Sequence, residues 1–214
     1  MAIHDEIHTI INALIDVTEK FFKYDERRKK VLADMRGKAL EEAIAAGERD
    51  LKAATQNNVL GMRACVRRMI EEVKDGNRYD VNDDTISNAA ELLKNKGMSL
   101  DAASAIIREF SGRQVALQIL KAASAEEYRG LFDYFIFDPL ASLEKINSTI
   151  DQLTYDNGQN FPGLVSSIRE MLITFADRMG IMLNTPYKAE QLEEMRMRNI
   201  VGLMGLNYDD VKNM

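Results

Sequence analysis

Apolar side chains recur at alternating steps of three and four through the start of the chain: Ile3, Ile7, Ile10, Leu14, Val17, Phe21, Tyr24, Arg28, Val31 and Met35. All but Arg28 are apolar or aromatic. On an α-helix this spacing forms a heptad seam, which buries itself along another helix with a slight left-handed supercoil. A second strict seam comes later, at Val59, Met62, Val66, Met69 and Val73. The stretch between the seams is rich in Ala, with sparse apolar marks at Leu40, Ile44 and Leu51. Gly37 and Gly47 each weaken a helix there by about 1 kcal/mol relative to Ala.

No proline occurs in residues 1–138, so nothing forces a break. The pattern predicts a nearly continuous helix, straight or kinked, over residues 3–73, roughly 105 Å long. The alternative is a hairpin turning near Gly47 or Asn57-Asn58 that sets the seams antiparallel.

Beyond Asp75-Gly76-Asn77, a turn sequence, the periodicity shortens. Asp83 or Asp84 can cap a helix through Ile86, Ala89, Leu92 and Leu93. Ser99 can cap the next, through Ala103, Ile106, Ile107 and Phe110, and Val115–Ala123 is another. Ser124-Ala125-Glu126-Glu127 has the form of a capping box opening a helix through Tyr128, Leu131, Phe132 and Phe135. Asp138-Pro139 is a cap with proline at the first helical position, heading a helix to Leu153. Pro162 starts a helix through Ile168, Leu172 and Phe175, and Thr185-Pro186 starts a last one to about Met204. The expected fold class is therefore all-α. A long, coiled-coil-like helical region (1–76) precedes a compact bundle of short helices (83–204) and a short C-terminal tail (205–214).

Composition agrees. There are 3 prolines and no Trp, and Ala, Met, Glu, Lys and Arg are plentiful, as helices prefer. Basic and acidic residues balance over 1–76, so the net charge of −6 lies in 77–214. An acidic distal half argues against a general phosphate-binding role there. The single Cys65 cannot close an internal disulfide and fits a reducing compartment. No apolar run approaches the roughly 20 residues of a membrane helix, and the N-terminus lacks the basic and hydrophobic regions of a leader. The expected location is the cytoplasm, or a larger particle assembled there, with no membrane partner.

Candidate chemistry is thin. His4 and His8 share a helix face, but His4-Asp5-Glu6-Ile7-His8 has Asp5 where a zinc-protease box needs glutamate, and no third ligand is identifiable. Asp80, Asn82, Asp84 and Glu91 match calcium-loop positions one, three, five and twelve, yet Thr85 stands where that loop turns on Gly. Helix capping explains the same acids. Cys65 has no histidine base nearby in the chain. No phosphate loop, dinucleotide fingerprint, nucleophile elbow or paired-Cys zinc site is present. We therefore expect no catalytic residue, metal or cofactor.

The expected function is a non-enzymatic assembly or adaptor protein. Its partners are itself, through Ile3, Ile7, Ile10, Leu14, Val17, Phe21, Tyr24, Val31 and Met35, and a second protein, through the bundle or tail. Arg28 either fixes the register of that seam or extends its charge outward. Met195, Met197 and Met204 are the candidates for the second contact, since flexible thioethers suit adaptable surfaces. The plan is similar to that of viral scaffolding and internal virion proteins, a likeness of plan that no motif carries. One alternative is a helical nucleic-acid-binding regulator using the basic runs Lys20–Lys30 and Arg63–Arg68, although acids dilute the first run and no stacking platform accompanies it. The other is a bundle enzyme with an unrecognised site.

Overall fold

A computed structural model of the chain describes residues 3–76, 83–155 and 160–183. Among these the fold is all-α: seven α-helices and one 3-10 helix, with no strand. The α-helices are α1 (Ile3–Asp34), α2 (Gly37–Gly76), α3 (Asp84–Lys94), α4 (Leu100–Glu109), α5 (Gln114–Ala123), α6 (Pro139–Tyr155) and α7 (Phe161–Arg178). The 3-10 helix spans Glu126–Phe132.

The N-terminal region is two helices and not the nearly continuous one that its pattern predicts. Helix α1 stops at Asp34 and α2 starts at Gly37, so only Met35 and Arg36 connect them. Gly37 has φ of +60°, a left-handed conformation that ends a helix at little cost only for glycine. Arg36 caps the end of α1: its Nη1 donates to the carbonyls of Leu32, Ala33 and Met35 at 2.8, 3.2 and 2.6 Å. Gly47 and Asn57-Asn58, the expected turning points of a hairpin, lie inside α2.

Packing divides the chain into two compact units, and the division falls within helices. One unit is Met1–Ile7, Ala64–Asn147 and Met171–Met182; the other is His8–Arg63, Ser148–Glu170 and Leu183–Met214.

In the first unit, α3 packs on α5, and the 3-10 helix packs on both α4 and α5. Ile86, Leu93, Ile107, Leu117, Leu120, Tyr128 and Phe132 form its core. Capping fixes the helix starts as the sequence implies. Asp83 accepts from the Thr85 N–H at 3.0 Å, Ser99 Oγ from Ala102 at 3.2 Å, and Asp138 Oδ1 from Ala141 at 3.0 Å. Ser124-Glu127 behaves differently. Ser124 closes α5, its N–H donating to the Leu120 carbonyl, and Glu127 accepts from the Gly97 N–H instead. From Glu126 the chain winds as a 3-10 helix rather than an α-helix.

In the second unit the chain runs antiparallel to itself. Asn58 Nδ2 donates to Asp16 Oδ2 at 2.8 Å, and Lys20 Nζ reaches both Asp16 and Asn58, at 2.7 and 2.9 Å. Further along, the Tyr24 ring lies against Gly47. Phe21 stacks on Phe161 with centroids 4.9 Å apart, and Arg63 pairs with Asp151 at 3.0 Å.

Candidate association surface

The first seam divides into a closed part and an open part. Ile7, Ile10, Leu14 and Val17 have no exposed surface, and Phe21 and Tyr24 are buried too. Ile3 is half-buried, and its N–H donates to Glu72 at 3.3 Å. A single copy of the chain thus covers the stripe from Ile7 to Tyr24. The second seam is covered as well: Val59, Met62, Val66, Met69 and Val73 are all buried. The seam predicts a helix covering the first stripe, and one covers it from Ile7 to Tyr24. A heptad period says nothing about whose helix it is.

Beyond Tyr24 the picture changes. Among the described residues, no side chain from 25 to 50 is buried. Val31 is half-buried, while Leu32 and Met35 keep 42% and 41% of their surface exposed. Leu40 and Ile44, on the opposing helix, are also only half-buried. Tyr24 Oη and Arg28 Nε are buried with no hydrogen-bond partner among the described residues. Such atoms weaken local packing, because their desolvation goes uncompensated. Leu32 lies one residue off the heptad stripe.

The basic runs are partly neutralised. Lys20 is held by Asp16, Lys29 by Asp25 at 3.0 Å, Arg63 by Asp151 and Arg68 by Glu6. Each pairing lowers the positive charge left for phosphate contacts. His4 Nδ1 pairs with Asp5 at 3.2 Å, and the described residues include no His, Cys, Asp and Glu group arranged to hold a metal ion. Asp83 is occupied by Thr85 and by Arg113, which together hold its carboxyl down at about 2. Asp80 and Asn82 lie outside the described residues, as do Met195, Met197 and Met204. Cys65 is buried, and that burial, with Glu6 beside it, pushes its thiol up to about 11. A thiol kept protonated is a poor nucleophile.

A depression of about 300 Å³ in the second unit is lined by Leu51, Thr55, Leu153 and Phe161, with Glu48 and Arg49 as charged neighbours. The Thr55 hydroxyl is spent within its own helix, donating to the Leu51 carbonyl at 2.9 Å. In the first unit, Leu92 on α3 and Val115 and Ile119 on α5 are exposed apolar side chains.

No helix among the described residues is long and apolar enough to cross a membrane. Comparison with protein-family models, curated proteins and solved structures returned no match.

Proposed function

We propose that the chain is a non-enzymatic assembly or adaptor protein that self-associates through the distal part of its N-terminal helix pair, residues 25–50. One observation carries this reading: the apolar stripe continues through Val31 and Met35, yet no side chain in that stretch is buried. Covering Leu32, Met35 and their neighbours with a second copy would remove apolar surface from water, the main drive for association. The contact is with self because the stripe is heptad-spaced and suits another helix of like character. A second protein is met by the bundle, where Leu92, Val115 and Ile119 stand exposed. A scaffold within a larger particle would use both contacts, one to multiply copies and one to recruit.

The test is sedimentation of the full chain over a range of concentrations, beside a Leu32→Asp/Met35→Asp variant. The wild type should form an oligomer, and the variant a monomer that keeps its helicity and its cooperative melt. A wild type that stays monomeric at every concentration overturns the reading.

A further inference from the structure

Resting on that self-association, we infer that the second copy enters by exchange: α1 of one chain lies along α2 of the other, through opening of the turn at Gly37. Three features point to it. The connection is only Met35 and Arg36, and short hinges favour exchange of identical elements between copies. The turn depends on one left-handed residue, Gly37, and the chain on both sides of it is helical. A Cβ at Gly37 would meet nothing within 4 Å, so packing does not lock the turn.

The open stretch itself adds to these three. Residues 25–50 have no buried side chain, and the unpartnered Tyr24 Oη and Arg28 Nε lie at and just beyond its inner edge. The closed arrangement is therefore weakest next to its own hinge. In the exchanged dimer, Asp16 meets Asn58 of the other copy, and the two hinges lie side by side at a twofold axis. Leu32 and Met35, exposed at the turn of the hairpin, then fall in the middle of a helix pair. The contact is isologous and closes at two copies. Seven-residue steps carried through the hinge from Ile10, Val17, Tyr24 and Val31 arrive at Val59, Val66 and Val73, so the period survives the connection. The intervening positions are Lys38, Ala45 and Lys52, which leaves the middle of that row the least apolar.

The experiment uses two full-length chains, Cys65→Ser/Asp16→Cys and Cys65→Ser/Asn58→Cys, unfolded together, refolded and treated with a short bis-maleimide. Each carries one thiol, and the Asp16 and Asn58 side chains touch within a hairpin. A covalent dimer mapped by mass spectrometry to a 16–58 link forms only if helices have been exchanged. We expect that product, and about tenfold more of it when both chains also carry Gly37→Ala, because alanine disfavours the left-handed turn and favours helix. Inserting Gly-Gly-Ser after Met35 should reduce it at least about tenfold by relaxing the hinge. If sedimentation shows a dimer but no 16–58 product appears, exchange is overturned and side-by-side association stands. If the chain is monomeric and unlinked, both readings fall.

Discussion

The carboxylate of Glu6, fully buried, is gripped by the guanidinium of Arg68: Nε donates to Oε1 at 2.6 Å and Nη2 to Oε2 at 2.8 Å. This two-pronged geometry is the strong form of an ion pair. It ties the first residues of α1 to α2 across 62 positions of sequence. Arg68 is itself about half exposed, and its Nη2 also donates to Cys65 Sγ at 3.3 Å. Removing Arg68 strands a buried charge, which costs more than the intact pair contributes. Arg68→Met should therefore destabilise the chain by about 2 kcal/mol. It should also speed chemical labelling of the Cys65 thiol, which is shielded in the native state. Equilibrium urea unfolding and thiol-labelling rates check the two effects. Unchanged labelling would show that the pair does not hold this end of the helices together.

The same pair sets an acid response. Hydrogen bonds from Arg68, before any other cause, hold the Glu6 carboxyl below its ordinary value of 4.5. A depressed carboxylate contributes stability that is complete above its unfolded value and is lost as pH falls through the folded one. Wild-type stability should drop as the pH falls from about 5 to about 3. Glu6→Gln should start less stable and show a shallower fall over the same window. Urea midpoints across that range give the comparison, and parallel slopes would remove Glu6 from the account.

Tyr128 has no exposed surface and anchors the loop between α3 and α4. Its hydroxyl accepts from the Met98 N–H at 2.9 Å and lies 3.1 and 3.3 Å from the carbonyls of Met98 and Asn95, to which its proton can donate. Tyr128→Phe keeps the ring and leaves that N–H without its partner. The expected loss is about 1–2 kcal/mol in urea unfolding, with amide exchange at Met98 faster than in the wild type.

Much of the fold was legible because its signals are local. Asp83, Ser99 and Asp138 cap helices where their side chains predict, and the second seam is buried at all five positions. The turn at Met35-Arg36 was not legible in the same way. Gly37 was visible only as a weak helix former, one of two in the region; its left-handed φ, and the antiparallel pairing of Asp16 with Asn58 and of Tyr24 with Gly47, leave no local mark in the sequence. Ser124 and Glu127 carry the letters of a capping box, but burial of Ser124 and the reach of Glu127 to Gly97 redirect both. The basic runs Lys20–Lys30 and Arg63–Arg68 read as two separate candidates for phosphate contact, yet Lys20 and Arg68 find partners 38 and 62 residues away. Local pattern reveals the stripe, and only long-range pairing reveals which part of it stays open.

Two glycines should respond with opposite signs. Gly61 lies inside α2 with open space where a Cβ would stand. Gly61→Ala should stabilise the chain by about 1 kcal/mol through helix propensity alone. Gly180 has φ of +70°, and a Cβ there would come within 2.7 Å of Ser111 Cβ. Gly180→Ala adds that clash to a backbone penalty of about 1–2 kcal/mol, so its melting temperature should fall as that of Gly61→Ala rises. Thermal melts monitored by circular dichroism in the far ultraviolet compare the two directly.

The sharpest contrast lies along α1 itself. Ile10 and Leu14 have no exposed surface in a single copy, whereas Leu32 and Met35 are about two-fifths exposed. An aspartate at either inner site is an unpaired charge in an apolar setting, costing several kcal/mol. That is a large share of the roughly 5–15 kcal/mol typical of a folded domain. Ile10→Asp/Leu14→Asp should therefore lose its cooperative melt and much of its helicity. At the outer sites the side chains meet water within a single copy, and Leu32→Asp/Met35→Asp should move the stability of the dissociated chain by less than about 0.5 kcal/mol. Circular dichroism melts beside sedimentation separate the two outcomes. Should the Ile10→Asp/Leu14→Asp chain stay helical, melt cooperatively and merely fall to a monomer, the inner stripe would not be needed to hold α1 against α2 within a folded chain, and the division between a closed and an open part of α1 would be lost.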